Sequence, residues 1–549
     1  MAEFRIFLVC LLCWVSMATV QAQNRYAVHY KYKAQTDFSL TNPQAFLTNP
    51  SIERRERQQI NLDSLDLPVS EKYITYIEDK VIRFLFHSNW LNASVLVAEP
   101  EAIAEISQLD FVEKVVFVAP GFSAPAAFQP ETAHRKFNQL AIESNQSTRT
   151  MNGPVYTFQN ELLGIPAMHE EGFKGKGITI AVFDAGFPGV NTIPSLLHLS
   201  TNNQIIGTKD FVEPWNTNVF VKNQHGSNVL SLIASNDPDV LVAGAPEANY
   251  ILCITEDVPT EYRIEEYNWV KAAEYADSLG VDIINSSLGY WDFDDPSMDY
   301  TIADLDGNTS VITKGATIAG NKGILVVTSA GNYGGRGASS ITMPSDATGI
   351  LAIGAVTSNF IRSGFSSQGP TADGRIKPDL TTLGSDVWLM RPNGQIGRGS
   401  GTSFSSPQVA ALAAGLWQAK PQLTKDELIH YLRQSASQSE NPDNEFGYGI
   451  PEFRKAFLGE ILSVDRELIQ RKVYPNPLKG DILFVAFDQH VNARVQIFDM
   501  QGRKVWTGAI TRQGLREPFA IPVSIQQTGL YMLQIQSGSA IYRTKFIKK

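Results

Sequence analysis

The stretch GTSFSSPQVAALAAGLW, residues 401–417, decides how the chain is read. After Pro407 it runs VAALAAGLW, apolar on all sides, which predicts a buried helix. The first N–H groups of such a helix lack helical partners, and its N-terminus carries a partial positive charge. Pro407 is tolerated near the start, where no N–H is missed. Ser403, at the entry, is placed to project into a field that favours a developing oxyanion. Ser405 and Ser406 lie a turn inward and read as small packing residues. Ser403 reads equally well as an N-cap, a role open to Thr402 too.

Upstream of this helix the chain alternates apolar strand-like runs with helical ones: ITIAVFD, ANYILCIT, WVKAAEYADSLG, VDIINSSLG, GILVVTSAG and ILAIGAV. Continuous apolar runs with intervening helices predict a parallel α/β sheet with helices on both faces. Sites in such sheets form at the carboxyl ends of the strands. Three polar residues fall there. Asp184 closes GITIAVFDAG, with Gly186 allowing a sharp turn. His225 opens the helical run QHGSNVLSLIAS. Asn332 closes GILVVTSAGN and precedes YGGRG. Taken singly, each has a structural reading: a helix cap, one of eight histidines, and an Asn that tolerates left-handed backbone.

Taken together, Asp184 in VFDAG, His225 in HGS, Asn332 in SAGN and Ser403 in GTSFSSP follow the order and local motifs of the subtilisin-like serine proteases. The stretch NSSLG, residues 285–289, resembles that family's substrate-binding strand, and KPDL, residues 377–380, resembles the segment before its nucleophile helix. The resemblance covers about residues 155–455. It implies a serine endopeptidase. Ser403 is the nucleophile, His225 the general base, Asp184 the orienting carboxylate and Asn332 the oxyanion donor. Ser287, Leu288 and Gly289 pair with an extended peptide. The sequence departs from the family pattern in four places, one of them Leu383-Gly384 where Pro-Gly often follows KPD. Ala185 stands where DTG is usual. Ser227 and Asn228 replace the usual Thr and second His. Phe404-Ser405-Ser406 follows where the SMA run is usual. None of these removes a catalytic group.

Two other classes are weighed. An α/β-hydrolase esterase needs Gly-x-Ser-x-Gly and a triad ending in His; no such pentapeptide occurs, and His225 precedes Ser403. A catalytically inactive binding or adhesion protein on the same fold predicts a lost triad member, and none is lost. No cofactor is identified. ADLDGN, residues 303–308, lacks the full calcium loop and reads as a solvated turn, while the resemblance leaves a structural calcium site open without locating it.

The flanks complete the organisation. A chain of 549 residues is too long for one core. The net charge of −10 gives no reason to expect nucleic acid. The charge is uneven, with 12 Lys+Arg against 4 Asp+Glu in residues 470–549, which favours a separate tail module. Residues 1–22 form a secretory signal: one Arg, an apolar run too short to span a membrane, then Val20 and Ala22 before the cut. Its removal takes Cys10 and Cys13, leaves no anchor, and leaves Cys253 as a buried apolar residue. Residues 23–150 carry strand-like runs at 25–31 and 82–87, a strand–helix–strand unit at 92–119, and a polar linker. That arrangement looks like a small α+β subtilase propeptide that docks on its own enzyme. Residues 151–465 form the catalytic segment. Residues 466–549 predict a small antiparallel β-sandwich, with turns at Gln501-Gly502 and Ser537-Gly538. YPNP, the D-MQGR-V turn, GLYMLQI and the KFIKK end resemble the C-terminal sorting domain of type IX (Por) secretion. The implied partners are protein or peptide substrates, the chain's own propeptide and the type IX machinery. The implied location is the outer surface or surroundings of a Gram-negative bacterium.

Overall fold

The computed structural model describes residues 23–33, 38–122, 155–464, 473–485, 492–511, 519–525, 527–537 and 540–549. The expected signal lies outside the described residues, as does most of the polar linker expected from Ala119 to about Pro154; its first residues, 119–122, are instead the end of a strand, Val112–Phe122, and only 123–154 fall outside.

The N-terminal unit is a four-stranded antiparallel sheet of β1 (Gln23–Tyr30), β2 (Arg83–Ser88), β3 (Ala93–Ala98) and β4 (Val112–Phe122), in the order β2-β3-β1-β4. Helices α1 (Asn49–Arg57) and α2 (Glu71–Ile77) lie between β1 and β2, and α3 (Pro100–Ile106) joins β3 to β4. The expected strand–helix–strand unit is β3-α3-β4, and Pro100 opens its helix as expected. Neither α1 nor α2 was expected. In NPSIERRER the buried residues are Ser51, Arg54 and Arg55, so α1 has no apolar stripe for periodicity to reveal.

The central unit is a seven-stranded parallel sheet. Its strands are β5 (Thr179–Asp184), β6 (Ile205–Asp210), β7 (Asn249–Ile254), β8 (Ile283–Ser286), β9 (Leu325–Ser329), β10 (Leu351–Val356) and β11 (Leu380–Leu383). The order is β11-β10-β9-β8-β5-β7-β6. Successive strand residues feed opposite cores. Ile180 and Val182 pack with α4 (His225–Ala234) and α7 (Thr402–Ala419), while Ala181 and Phe183 pack with α5 (Ile264–Ser278) and α6 (Val311–Asn321). Both faces are covered, so the strands read as unbroken apolar runs. Cys253 belongs to the second core, and complete burial pushes its thiol well above the usual range.

The tail is two antiparallel sheets. One pairs Val473–Tyr474, Ile482–Val485 and Phe519–Pro522; the other pairs Lys504–Thr511, Asn492–Phe498, Gly529–Ser537 and Ala540–Lys548. Val495, Ile497, Tyr531, Leu533 and Ile535 alternate into one core, the pattern of half-buried strands. Gly502 takes a positive φ of 79° in the turn that Asp499 closes, beside the expected Gln501. Gly538 lies outside the described residues. Lys504–Thr511 was not expected, because it is a mostly exposed edge strand with no apolar alternation.

Candidate active site

Asp184 ends β5 and is fully buried. Its Oδ1 accepts from the Ala185 N–H at 2.8 Å. His225 is the first residue of α4, with its N–H capped by Asn223 Oδ1 at 2.9 Å. Two glycines let these elements meet. Gly186 has a φ of +143°, and a Cβ there would lie 2.3 Å from the Val221 carbonyl. A Cβ on Gly226 would lie 2.3 Å from the Gly186 carbonyl and 2.9 Å from Asp184 Cβ. His225 Nδ1 consequently sits 2.9 and 3.0 Å from the two Asp184 oxygens. A carboxylate only accepts, so the proton of neutral His225 is on Nδ1 and the lone pair is on Nε2. The His225 ring stands 5.7 Å, centroid to centroid, from Phe404, the neighbour of Ser403.

The helix carrying Ser403 begins at Thr402, five residues before Pro407 and too early for Pro407 to fall among the first four N–H groups. Ser403 is the second residue of α7 and Pro407 is the sixth, inside the helix. Pro407 therefore does remove a helical hydrogen bond, the one its N–H would give to the Ser403 carbonyl. Ser287 supplies the replacement: its Oγ donates to Ser403 O at 2.9 Å. In return Ser403 Oγ donates to Ser287 O at 3.2 Å. Asn285 Nδ2 donates to Ser287 Oγ at 3.2 Å, and Ser406 Oγ donates to Asn285 Oδ1 at 3.0 Å. Ser406 is thus a polar tie between helix and strand, not only a small packing residue. Ser405 Oγ reaches the Leu383 carbonyl at 3.4 Å.

Asn332 follows β9 and is half-buried. Its Oδ1 accepts from the N–H and the Oγ1 of Thr402, both at 3.0 Å. The Thr402 N–H can only donate, which fixes the amide oxygen toward it and turns the two Nδ2 hydrogens elsewhere. Asn332 is thereby tied to the residue before Ser403.

Ser287, Leu288 and Gly289 leave the end of β8. Ser287 and Leu288 are buried, and Gly289 is exposed. Ser287 faces the helix, so Gly289 is the member of the trio with solvent-facing backbone. Sequence reading missed Thr342. Its Oγ1 would lie 2.1 Å from a Cβ on Gly289 and 2.8 Å from one on Gly331, and it is buried without a hydrogen-bond partner. Only the two glycines in NSSLG and SAGN signalled how tightly that slot is filled. In KPDL, Lys377 and Arg433 both pair with buried Asp379, whose carboxylate also accepts the Ala352 N–H at 2.7 Å. Burial would raise that carboxyl, but the two cations hold it below its ordinary value.

In residues 303–308, Asp306 Oδ1 accepts from the N–H groups of Asn308 and Thr309 at 2.7 Å each, closing a turn on itself. Among the described residues, no three His, Cys, Asp or Glu side chains are grouped to hold a metal ion.

Residues 175–449 match the Subtilase family. Residues 25–134 match the Peptidase S8 propeptide domain, Bacteroidota, and residues 472–549 match the secretion system C-terminal sorting domain. Subtilisin amylosacchariticus of Bacillus subtilis subsp. amylosacchariticus is 30% identical over 289 residues, 52% of this chain and 66% of its own. Subtilisin J of Geobacillus stearothermophilus gives the same figures. The chain thus spans just under two thirds of the length of these relatives. A solved structure of MycP3 protease from the type VII (ESX-3) secretion system superposes with a TM-score of 0.46 at 22% identity, over 56% of this chain and 90% of that one.

Proposed function

The chain belongs to the subtilase family, and on that premise we propose that it is a secreted serine endopeptidase working through Asp184, His225 and Ser403. The observation that carries this reading is the Asp184–His225 pair. Nδ1 is held by a buried carboxylate, the lone pair is left on Nε2, and the ring lies against the residue next to Ser403. In this reading His225 takes the Ser403 proton as Oγ attacks the peptide carbonyl, then returns it to the leaving amine. Asp184 keeps the tautomer and stabilises the imidazolium. The Ser403 N–H, at the start of a buried helix, and Asn332 Nδ2 donate to the tetrahedral oxyanion. An extended substrate adds a strand along Ser287, Leu288 and Gly289, with Gly289 the accessible position.

The flanking matches support the rest of the proposal. Residues 1–22 direct export, residues 23–150 comprise the propeptide and a linker that is cut, residues 151–465 do the chemistry, and residues 466–549 address the enzyme to type IX secretion. The destination is the cell surface or the medium. Among the described residues no helix is long and apolar enough to cross a membrane. The chemistry calls on no cofactor.

Labelling of the processed protein with a fluorophosphonate serine probe tests the proposal. Label on the parent and none on Ser403→Ala is the expected result. A parent that takes no label favours the alternative, a catalytically inactive binding or adhesion protein.

A further inference from the structure

Helix α1 belongs to a segment, residues 42–70, that leaves the N-terminal sheet and grips the central unit. Its contacts are not near Ser403. The strands run in parallel, so α5 and α6 return antiparallel to them and end at the amino edge of the sheet. Asp282 sits at that edge, directly before β8, while Ser287 follows β8 at the opposite one. Five residue steps of strand separate them, about 16 Å.

At the amino edge the ends of α5 and α6 present carbonyls, and Asp277 lies in the last turn of α5. A helix C-terminus carries partial negative charge, so an aspartate there is unfavourable without a cation. α5 has no basic residue in its last turn. The cations come from α1. Arg54 is 1% exposed. It pairs with Asp277 and donates to the Val281 carbonyl at 2.6 Å and the Lys322 carbonyl at 3.2 Å. One guanidinium thereby closes the ends of both helices. Arg55, 2% exposed, reaches the other Asp277 oxygen at 2.7 Å and Asp66 at 2.8 Å. Lys322 of the central unit completes the network on Asp66 at 2.7 Å. Burial alone would raise the Asp277 carboxyl; Arg54 and then Arg55 override it and hold it below its ordinary range.

We propose that residues 42–70 are a clamp: Arg54 and Arg55 occupy an acidic, carbonyl-lined socket built on Asp277, and this contact sets how long the N-terminal unit stays seated once the linker at 123–154 is cut. The clamp acts remotely from Ser403, so retention and any blockade of the active site are separate properties of the N-terminal unit. Arg57, more exposed and 3.1 Å from Asp282, adds little to it.

The test uses the full chain carrying Ser403→Ala and a foreign protease site inserted within residues 123–154. It does not depend on the peptidase reading, because Ser403 is absent throughout and an added enzyme makes the cut. The release rate of the cut N-terminal unit is followed by gel filtration after dilution at 0.15 M salt. The unit of the parent should co-elute with the rest of the chain. Arg54→Lys with Arg55→Lys keeps both charges but loses the planar fork, and release should be about tenfold faster. Arg54→Ala with Arg55→Ala leaves Asp277 buried and unpaired, and release should be about a hundredfold faster or more. Arg57→Ala should stay within about threefold of the parent. If the double-alanine chain does not fold, the lysine pair carries the decision. Immediate release of the parent unit, or equal release from the parent and the lysine pair, overturns the proposal.

Discussion

The pairing of Ser287 with the Ser403 carbonyl makes a measurable prediction. Pro407 removes the N–H that would satisfy Ser403 O, and Ser287 Oγ fills that place at 2.9 Å. Ser287→Ala leaves the carbonyl buried without that donor and takes an acceptor from Asn285 Nδ2. An unsatisfied buried carbonyl costs about 1–3 kcal/mol. Pro407→Ala restores a helical N–H aimed at the same oxygen. On its own it should be near neutral, because the carbonyl already has a partner, the new N–H adds little, and the unfolded chain gains freedom worth about 0.4–1 kcal/mol. In the double variant the restored N–H substitutes for the lost hydroxyl. The double change should therefore cost less than the sum of the single ones, by about 1 kcal/mol or more.

The assay is urea unfolding of the Ser403→Ala precursor, which cannot digest itself under the proposed mechanism. The comparison is the midpoint of the transition that carries the central unit. With a slope of about 3 kcal/mol/M, Ser287→Ala should lower that midpoint by about 0.5 M, and Pro407→Ala should recover at least a third of the loss. Additivity within about 0.3 kcal/mol would refute the reasoning, because it would mean that the two groups do not serve the same oxygen.

Four further outcomes are expected. Gly226→Ala puts a Cβ 2.3 Å from the Gly186 carbonyl, so the turn bearing Asp184 must move; kcat/KM on a peptide substrate should fall by about 10²-fold, and a change under threefold would contradict the packing. Asn332→Ala should lower kcat by about 10²–10³ with KM little changed, whereas an effect confined to KM would make it a binding residue. Burial, with Lys114 and Lys314 nearby, holds His29 down to about 4, and burial with Lys271 nearby does the same to His87. Both values lie below the ordinary 6.5, so stability is full above about pH 6.5 and is lost as the pH falls toward 4. The precursor's unfolding midpoint should drop over that range, and less so in His29→Gln; identical profiles would reject the assignment. Deleting residues 470–549 should leave a protein that labels with the serine probe but remains in the periplasm, and normal amounts in the medium would refute the sorting role.

What the sequence made legible is what short backbone geometry demands. Asp184-Ala185-Gly186 and His225-Gly226 are readable because a Cβ on either glycine would lie 2.3 Å from a carbonyl, so no other residue fits there. The unbroken apolar runs of β5 and β7 are readable because both faces of the sheet are buried. The position of Pro407 was misjudged because the helix start depends on where Ser403 O finds its donor, and that donor lies 116 residues away. The clamp was invisible for the same reason. ERRER in α1 reads as a solvated charged face, and it is Asp277, more than 220 residues on, with Asp66 and the Val281 and Lys322 carbonyls, that makes Arg54 and Arg55 interior residues.

One topology accounts for both kinds of site. In a parallel sheet every crossover helix returns antiparallel to the strands, so helix N-termini collect at the carboxyl edge and helix C-termini at the amino edge. The carboxyl edge is electropositive in its backbone. There the start of α7 presents the Ser403 N–H, and there the proposed oxyanion would form. The amino edge is electronegative in its backbone. There the ends of α5 and α6 take a guanidinium from α1 instead. An N-terminal unit seated through its arginines at the amino edge therefore gains affinity from the end of the sheet that the chemistry does not use. It follows that the arginine socket and the Asp184, His225 and Ser403 site can be altered independently, one changing how long the unit remains and the other how fast a peptide is cut.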